Sequence, residues 1–163
     1  MNIANLIGLP WKHGETDCYA LLRAFYKQAY NVELTDYPRP DFWWVKNPQL
    51  DLIRNHFRDE GFTPIHVAPR DLQVGDVLLM AIGGTIINHC AVYVGNGFLL
   101  HHVFRTESGT DRYAGIWRDR TVIVARHPLA VNSIEDTPSL DLIDLLPEPK
   151  RSRYRAILAS RTP

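Results

Sequence analysis

Nowhere in its 163 residues does the chain gather the roughly 18 consecutive apolar residues that a membrane-spanning helix needs, so no membrane span is expected. The opening Met1 to Gly8 has no basic segment ahead of an apolar one. Synthesis without an export signal is therefore expected. Charge of one sign is missing too: 18 lysines and arginines balance 18 aspartates and glutamates, and the basic residues are spread along the chain. That distribution lacks the electrostatic footprint of a nucleic-acid binder. Only two cysteines occur, Cys18 and Cys90, too few for a disulfide framework, and both are expected as free thiols. No internal repeat is visible.

What is present fits one domain with a tail. From Thr16 to Tyr30, residues Cys18, Leu21, Leu22, Phe25 and Ala29 recur at helical spacing, with Thr16 or Asp17 as N-cap. A second short helix is expected over Leu50 to Phe57, ending before Gly61. Between them Tyr37, Pro38, Pro40, Phe42, Trp43 and Trp44 form a proline-broken aromatic stretch that either packs inward or borders a groove; inward packing is the favoured reading. From Leu72 the pattern changes to short β-rich runs at Val77 to Ile82, Ile86 to Val94, Phe98 to Phe104 and Thr121 to Arg126. Helices first and an antiparallel meander afterwards predict an α+β domain over residues 1–128, with helices packed on a sheet. Residues 129–163 carry prolines, an apolar cluster around Leu140 to Leu146 and a basic end, and are expected to dock on a partner protein.

The chemistry centres on Cys18 and His89. A cysteine in the first turn of a helix feels the positive end of the macrodipole, which favours thiolate. In the strand around His89, alternation places His89, Ala91 and Tyr93 on one face and Asn88, Cys90, Val92 and Val94 on the other. A thiolate on a helix start facing an imidazole on a strand is the arrangement of papain-like nucleophiles. The hairpin that follows decides what orients His89. A two-residue type I′ loop at Asn96-Gly97 puts His102 opposite Ala91, whereas a three-residue Gly95-Asn96-Gly97 loop puts His101 there.

Pro10-Trp11 before Gly14, Asp17-Cys18, Gly75-Asp76-Val77, His89 through Gly95 with its His-x-x-x-Tyr-x-Gly spacing, and His101 together resemble the NlpC-type cell-wall peptidases. The opening Leu6 to Trp11, the Asp17 to Leu21 helix start and His101-His102 are most similar to members encoded among bacteriophage tail genes. The resemblance implies a papain-like fold and a catalytic triad of Cys18, His89 and His101, since the family's spacing matches the step from His89 to His101. It further implies peptidoglycan stem peptides as substrate, with the γ-D-glutamyl-diaminopimelate bond as target, and phage tail-tip or hub proteins as partners. Its implied location is the virion tail tip, after synthesis in the host cytoplasm and before action on the periplasmic cell wall.

Trp11, Asp17, Tyr19 and His102 are the residues assigned to substrate binding. Two of them depart from the family pattern: Trp11 stands where a tyrosine is usual, and Tyr19 where a small residue follows the cysteine. The Cys18 backbone N–H becomes the oxyanion donor to expect. A second reading is a structural tail-tip assembly protein whose hydrolase fold is retained for assembly. Cys18, His89, His101 and His102 are also possible zinc ligands, but no CxxC or HxxxH spacing occurs, and neither a metal nor a cofactor is expected.

Overall fold

A computed structural model describes residues 2–130. The helices are α1 (Cys18–Tyr30), α2 (Trp43–Lys46), α3 (Leu52–His56) and α4 (Ile116–Arg120). The strands are β1 (Thr63–Ile65), β2 (Val77–Met80), β3 (His89–Gly95), β4 (Phe98–His101), β5 (Gly109–Arg112) and β6 (Thr121–Arg126). They form one antiparallel sheet in the order β1-β6-β2-β3-β4-β5, and with the helices an α+β fold.

Helix α1 begins where Asp17, in extended backbone, accepts a hydrogen bond from the Ala20 N–H; it ends at Asn31 in the left-handed region. Asp17 rather than Thr16 is therefore the cap. The apolar face of α1, through Leu21, Leu22, Phe25 and Tyr26, packs with Val77, Leu79, Cys90, Val92 and Leu100 of the sheet. On the sheet's other face Leu78, Met80, Ala91, Tyr93 and Leu99 form a second cluster against Trp117 and Val124. Alternation along β2 and β3 thus feeds two apolar layers, as period-2 geometry requires.

The far end of α1 is tied to the turn before β2. Tyr26 donates its hydroxyl to the Gly75 carbonyl and Tyr30 donates to the Val74 carbonyl at 2.9 Å. Gly75 has φ +94°, and a Cβ there would lie 2.4 Å from the Tyr30 hydroxyl. Both facts demand glycine. Next to it, buried Asp76 accepts from the Gln73 N–H and takes both Nε and Nη2 of Arg126, at 2.7 and 2.8 Å. Asp76 is a turn residue that also binds β6 to β2.

Several boundaries differ from expectation. The helix expected over Leu50 to Phe57 breaks at Asp51, whose φ of +33° separates a 3₁₀ turn from α3. Strand β3 starts only at His89, because the Asn88 side chain exchanges two hydrogen bonds with the Ile82 backbone and closes the preceding loop. Strands β1 and β5 and helix α4 are not among the elements that the sequence predicts. At the end of the described residues Pro128–Ala130 forms a 3₁₀ turn with Ala130 buried. The expected docking tail lies, from residue 131 onward, outside the described residues. Among these, no helix is long and apolar enough to cross a membrane.

Candidate active site

Cys18 is the first residue of α1 and is half-buried. At this position the backbone N–H groups of Cys18 and Tyr19 precede any intrahelical acceptor and point out of the helix end. Asp17 fixes that end. One of its oxygens caps Ala20, while the other accepts from the Gly14 N–H and from Arg39 Nε, both at 2.8 Å. Arg39 continues to the carbonyls of Gly14 and Tyr37. Burial alone would raise the Asp17 carboxyl, but the Ala20 N–H and Arg39 more than offset it and hold it below the usual carboxylate range. Its two oxygens are committed to the cap and the ion pair. Asp17, assigned to substrate binding from sequence, instead holds the loop that frames Cys18.

His89 opens β3. Its Nε2 stands 3.1 Å from His101 Nδ1, and His101 Nε2 stands 3.1 Å from an Asp111 carboxylate oxygen. These residues sit on three neighbouring strands. His101 is paired with Ala91 on one side and Gly109 on the other, so His89 and Asp111 are each two residues removed from direct opposition. The three side chains therefore line up obliquely across one face, at the diagonal spacing that long side chains can bridge.

The register has a particular origin. Asn96 and Gly97, with φ of +53° and +77°, form a two-residue turn of the I′ kind, and Gly95 pairs with Phe98. The extra residue is Val94, bulged between Tyr93 and Gly95. His101 thus faces Ala91, as the three-residue alternative required, but the shift lies in the strand and not in the loop. His102 falls on the opposite face. It is 1% exposed, its Nε2 donates to the Thr106 carbonyl at 3.0 Å, and its Nδ1 has no hydrogen-bond partner.

His89 lines one cleft with Cys18, and Cys90 belongs to the core cluster against which Cys18 packs, although the two point to opposite faces of β3. A hydrogen bond from the Cys90 S–H, then the hydrogen bond and charge of the His89 ring, hold Cys18 well below the usual thiol range against the opposing effect of burial. Cys90 is correspondingly pushed well above its ordinary value, by its hydrogen bond to Cys18 first, then by burial and by the Cys18 charge. Cys18 is the thiol that ionises, since it alone has an imidazole and a helix start beside it. Cys90 is a core residue, at 1% exposure, in the cluster against which Cys18 packs.

His101 is 4% exposed, and burial together with the neighbouring His89 pushes it down to about 4 despite Asp111. It is a neutral ring at physiological pH. The Trp117 ring meets it edge-on at 4.5 Å and limits its rotation. Neither Asp111 nor Trp117 was singled out from the sequence. Among the described residues no three His, Cys, Asp or Glu side chains form a cluster able to hold a metal ion.

A cleft of about 310 Å³ opens over Cys18 and His89. Trp11, Phe42, Trp44 and Phe104 wall one side, with Trp11 and Phe104 edge-to-face at 4.7 Å. The aromatic stretch therefore does both of the things considered for it: Trp43 is buried at 2%, while Phe42 borders the groove. Tyr19 and His102 also line the cleft. The Tyr19 hydroxyl donates to the Thr35 carbonyl at 2.9 Å, and burial holds its phenol above the usual range.

Comparison with known proteins places these residues in context. The NlpC/P60 family profile matches residues 8–126. Tail tip assembly protein K of Escherichia phage lambda is 38% identical over 125 residues, and its counterpart of the same name in Escherichia phage N15 is 28% identical over 123. These alignments cover 77% and 75% of this chain but only 60% and 49% of the two phage proteins, so the chain corresponds to part of each. Among solved structures, the NlpC/p60 domain of the peptidoglycan hydrolase SagA is similar with a TM-score of 0.48 and 22% identity, over 75% of this chain and 89% of that one.

Proposed function

The chain belongs to the NlpC/P60 family, and from that premise we propose that it is a cysteine hydrolase acting on amide bonds of peptidoglycan stem peptides. The observation that supports this reading is the opening of Cys18 and His89 into one cleft, with His89 Nε2 held 3.1 Å from His101. With Nε2 engaged by His101, Nδ1 of His89 is the nitrogen left for the thiol. It takes the thiol proton, and the Cys18 sulfur attacks the amide carbonyl. The developing oxyanion is met by the Cys18 N–H at the helix start. As the C–N bond breaks, the His89 imidazolium returns the proton to the leaving amine. Water, deprotonated by the same ring, then cleaves the thioester and frees Cys18.

Trp11, Tyr19 and His102 line the route by which the substrate enters, and Asp17 with Arg39 holds the helix start in place. The bond that the family resemblance implies is γ-D-glutamyl-diaminopimelate. Digesting purified muropeptides with the wild type and with Cys18→Ala, and reading the products by mass spectrometry, tests the proposal. New products from the wild type alone are expected; equal products from both end the cysteine reading.

A second reading draws on the names of the two phage relatives. In it the chain serves assembly at the virion tail tip, bound to tail-tip or hub proteins, with residues 129–163 as the docking segment. Synthesis in the host cytoplasm and delivery by the particle to the periplasmic cell wall fit both readings. Ending the chain at Ser133 is expected to leave Cys18 reactivity intact and prevent incorporation into tails, measured by thiol labelling and by immunoblotting of purified particles. Normal incorporation without the segment sinks the docking assignment.

A further inference from the structure

We propose that Asp111 is a positioning residue of this site: by accepting the His101 Nε2–H it fixes the tautomers of both histidines and leaves His89 Nδ1 bare toward Cys18. The inference rests on the reading of Cys18 and His89 as nucleophile and base.

A carboxylate oxygen has no proton to donate, so the 3.1 Å contact between Asp111 and His101 Nε2 needs the proton on Nε2. His101 is a neutral ring, so with Nε2 protonated its Nδ1 carries only a lone pair. The 3.1 Å contact from that lone pair to His89 Nε2 then needs the proton on His89 Nε2. In neutral His89 the remaining nitrogen is therefore unprotonated, and it is the one available to take the thiol proton. Without an acceptor at Asp111 nothing chooses the His101 tautomer. The Nδ1–H form of His101 would force His89 to accept at Nε2 and to carry its own proton on Nδ1, where it cannot act as a base.

The surroundings leave this choice to Asp111. His101 meets His89 from β3, Asp111 from β5 and His102 just past the end of its own strand, and Trp117 from α4 closes its ring with an uncharged edge. His102 already gives its Nε2–H to Thr106, and no contact joins it to His101 Nε2. The Asp111 side chain is 53% exposed, so its substitution does not open the core.

The test uses the full chain with Asp111→Leu, which removes the acceptor, and Asp111→Asn, which keeps an acceptor oxygen without the charge. Two readouts need no peptidoglycan cleavage: imidazole tautomers from long-range proton–nitrogen NMR correlations, and the pH dependence of Cys18 alkylation by iodoacetamide. In the wild type His101 is expected as the Nε2–H form, and His89 is expected to carry a proton on Nε2 toward His101 whether or not Nδ1 has taken the thiol proton. In Asp111→Leu the His101 tautomer mixes, and alkylation at neutral pH falls about fivefold to tenfold, a range moderated by the exposure of the carboxylate. Asp111→Asn recovers most of that rate, with thermal midpoints unchanged across the series. Unchanged tautomers and alkylation in Asp111→Leu overturn the proposal, as does an equal loss in both variants. A failed hydrolase reading shows up separately, as muropeptide cleavage indifferent to Cys18→Ala.

Discussion

His101 faces Ala91 across the sheet, yet its ring nitrogen meets His89, two residues further along the strand, at 3.1 Å. The single bulged residue Val94 sets this relationship. Removing one residue of stagger would bring His102 to the face that His101 now occupies.

His101→Ala is therefore expected to lower muropeptide turnover by about 10²-fold or more, on the scale of general-base catalysis. His102→Ala is expected to lower it much less, and to act through stability, because His102 is 1% exposed and fills the core beside the cleft. Turnover and thermal unfolding measured on both variants separate the two. A larger catalytic defect in folded His102→Ala reverses the assignment.

Cys90 offers a second comparison. Cys90→Val keeps the apolar volume but removes the S–H that bonds the Cys18 thiolate. Iodoacetamide labelling of Cys18 in this variant is expected to shift to higher pH, with the rate at neutral pH lowered roughly threefold to tenfold, as suits a weak sulfur donor. A pH profile equal to wild type shows that packing is all Cys90 provides.

Stability should respond to His101 with a defined sign. Its ring is pushed down to about 4 from an ordinary 6.5, so the native state binds this proton less readily than the unfolded chain. The contribution is fully present above about pH 6.5 and is lost as the pH falls through about 4. Denaturant unfolding of wild type and His101→Asn across this window is expected to show a steeper acid loss in the wild type. Parallel curves contradict a buried neutral ring.

Arg39 and Asp17 form an ion pair with side chains 7% and 6% exposed. Arg39→Met leaves the Asp17 charge buried without its partner and is expected to cost about 3 kcal/mol, in the range for breaking such pairs. Adding Asp17→Asn, which can still cap Ala20, should recover part of that loss. Additive losses in the double variant rule out direct coupling.

The local features were legible in the sequence for local reasons. Asp17 ahead of an apolar helical stripe marks a cap, Gly75-Asp76 marks a turn, and alternation from His89 to Tyr93 gives the faces of β3. What escaped depends on pairing between distant segments. Residues Gly109 to Arg112 are polar and mostly exposed, so β5 carries no apolar alternation, and Asp111 gains meaning only from lying beside β4. The Val94 bulge is likewise invisible along the chain, since a turn at Asn96-Gly97 is compatible with either register. Cys90 was assigned to the correct face, but strand geometry alone does not reveal that a helix start lies within reach of it. Arg39 reaches Asp17 from a proline-rich loop whose path no periodicity describes.

The tyrosine ties at the far end of α1 make the helix a lever. Its thirteen residues span about 20 Å, with the Tyr26 and Tyr30 hydroxyls as the fulcrum at one end and Cys18 at the other, where Asp17 and Arg39 frame it. A tilt of only about 3° at the fulcrum moves the tip by about 1 Å, a displacement that can cost about 10²-fold in rate. The turn around Gly75 thus belongs to the aiming of the nucleophile, although it never approaches the cleft. Selection on reactivity at Cys18 would be felt a helix length away, in tyrosines that pack the core and hold a carbonyl.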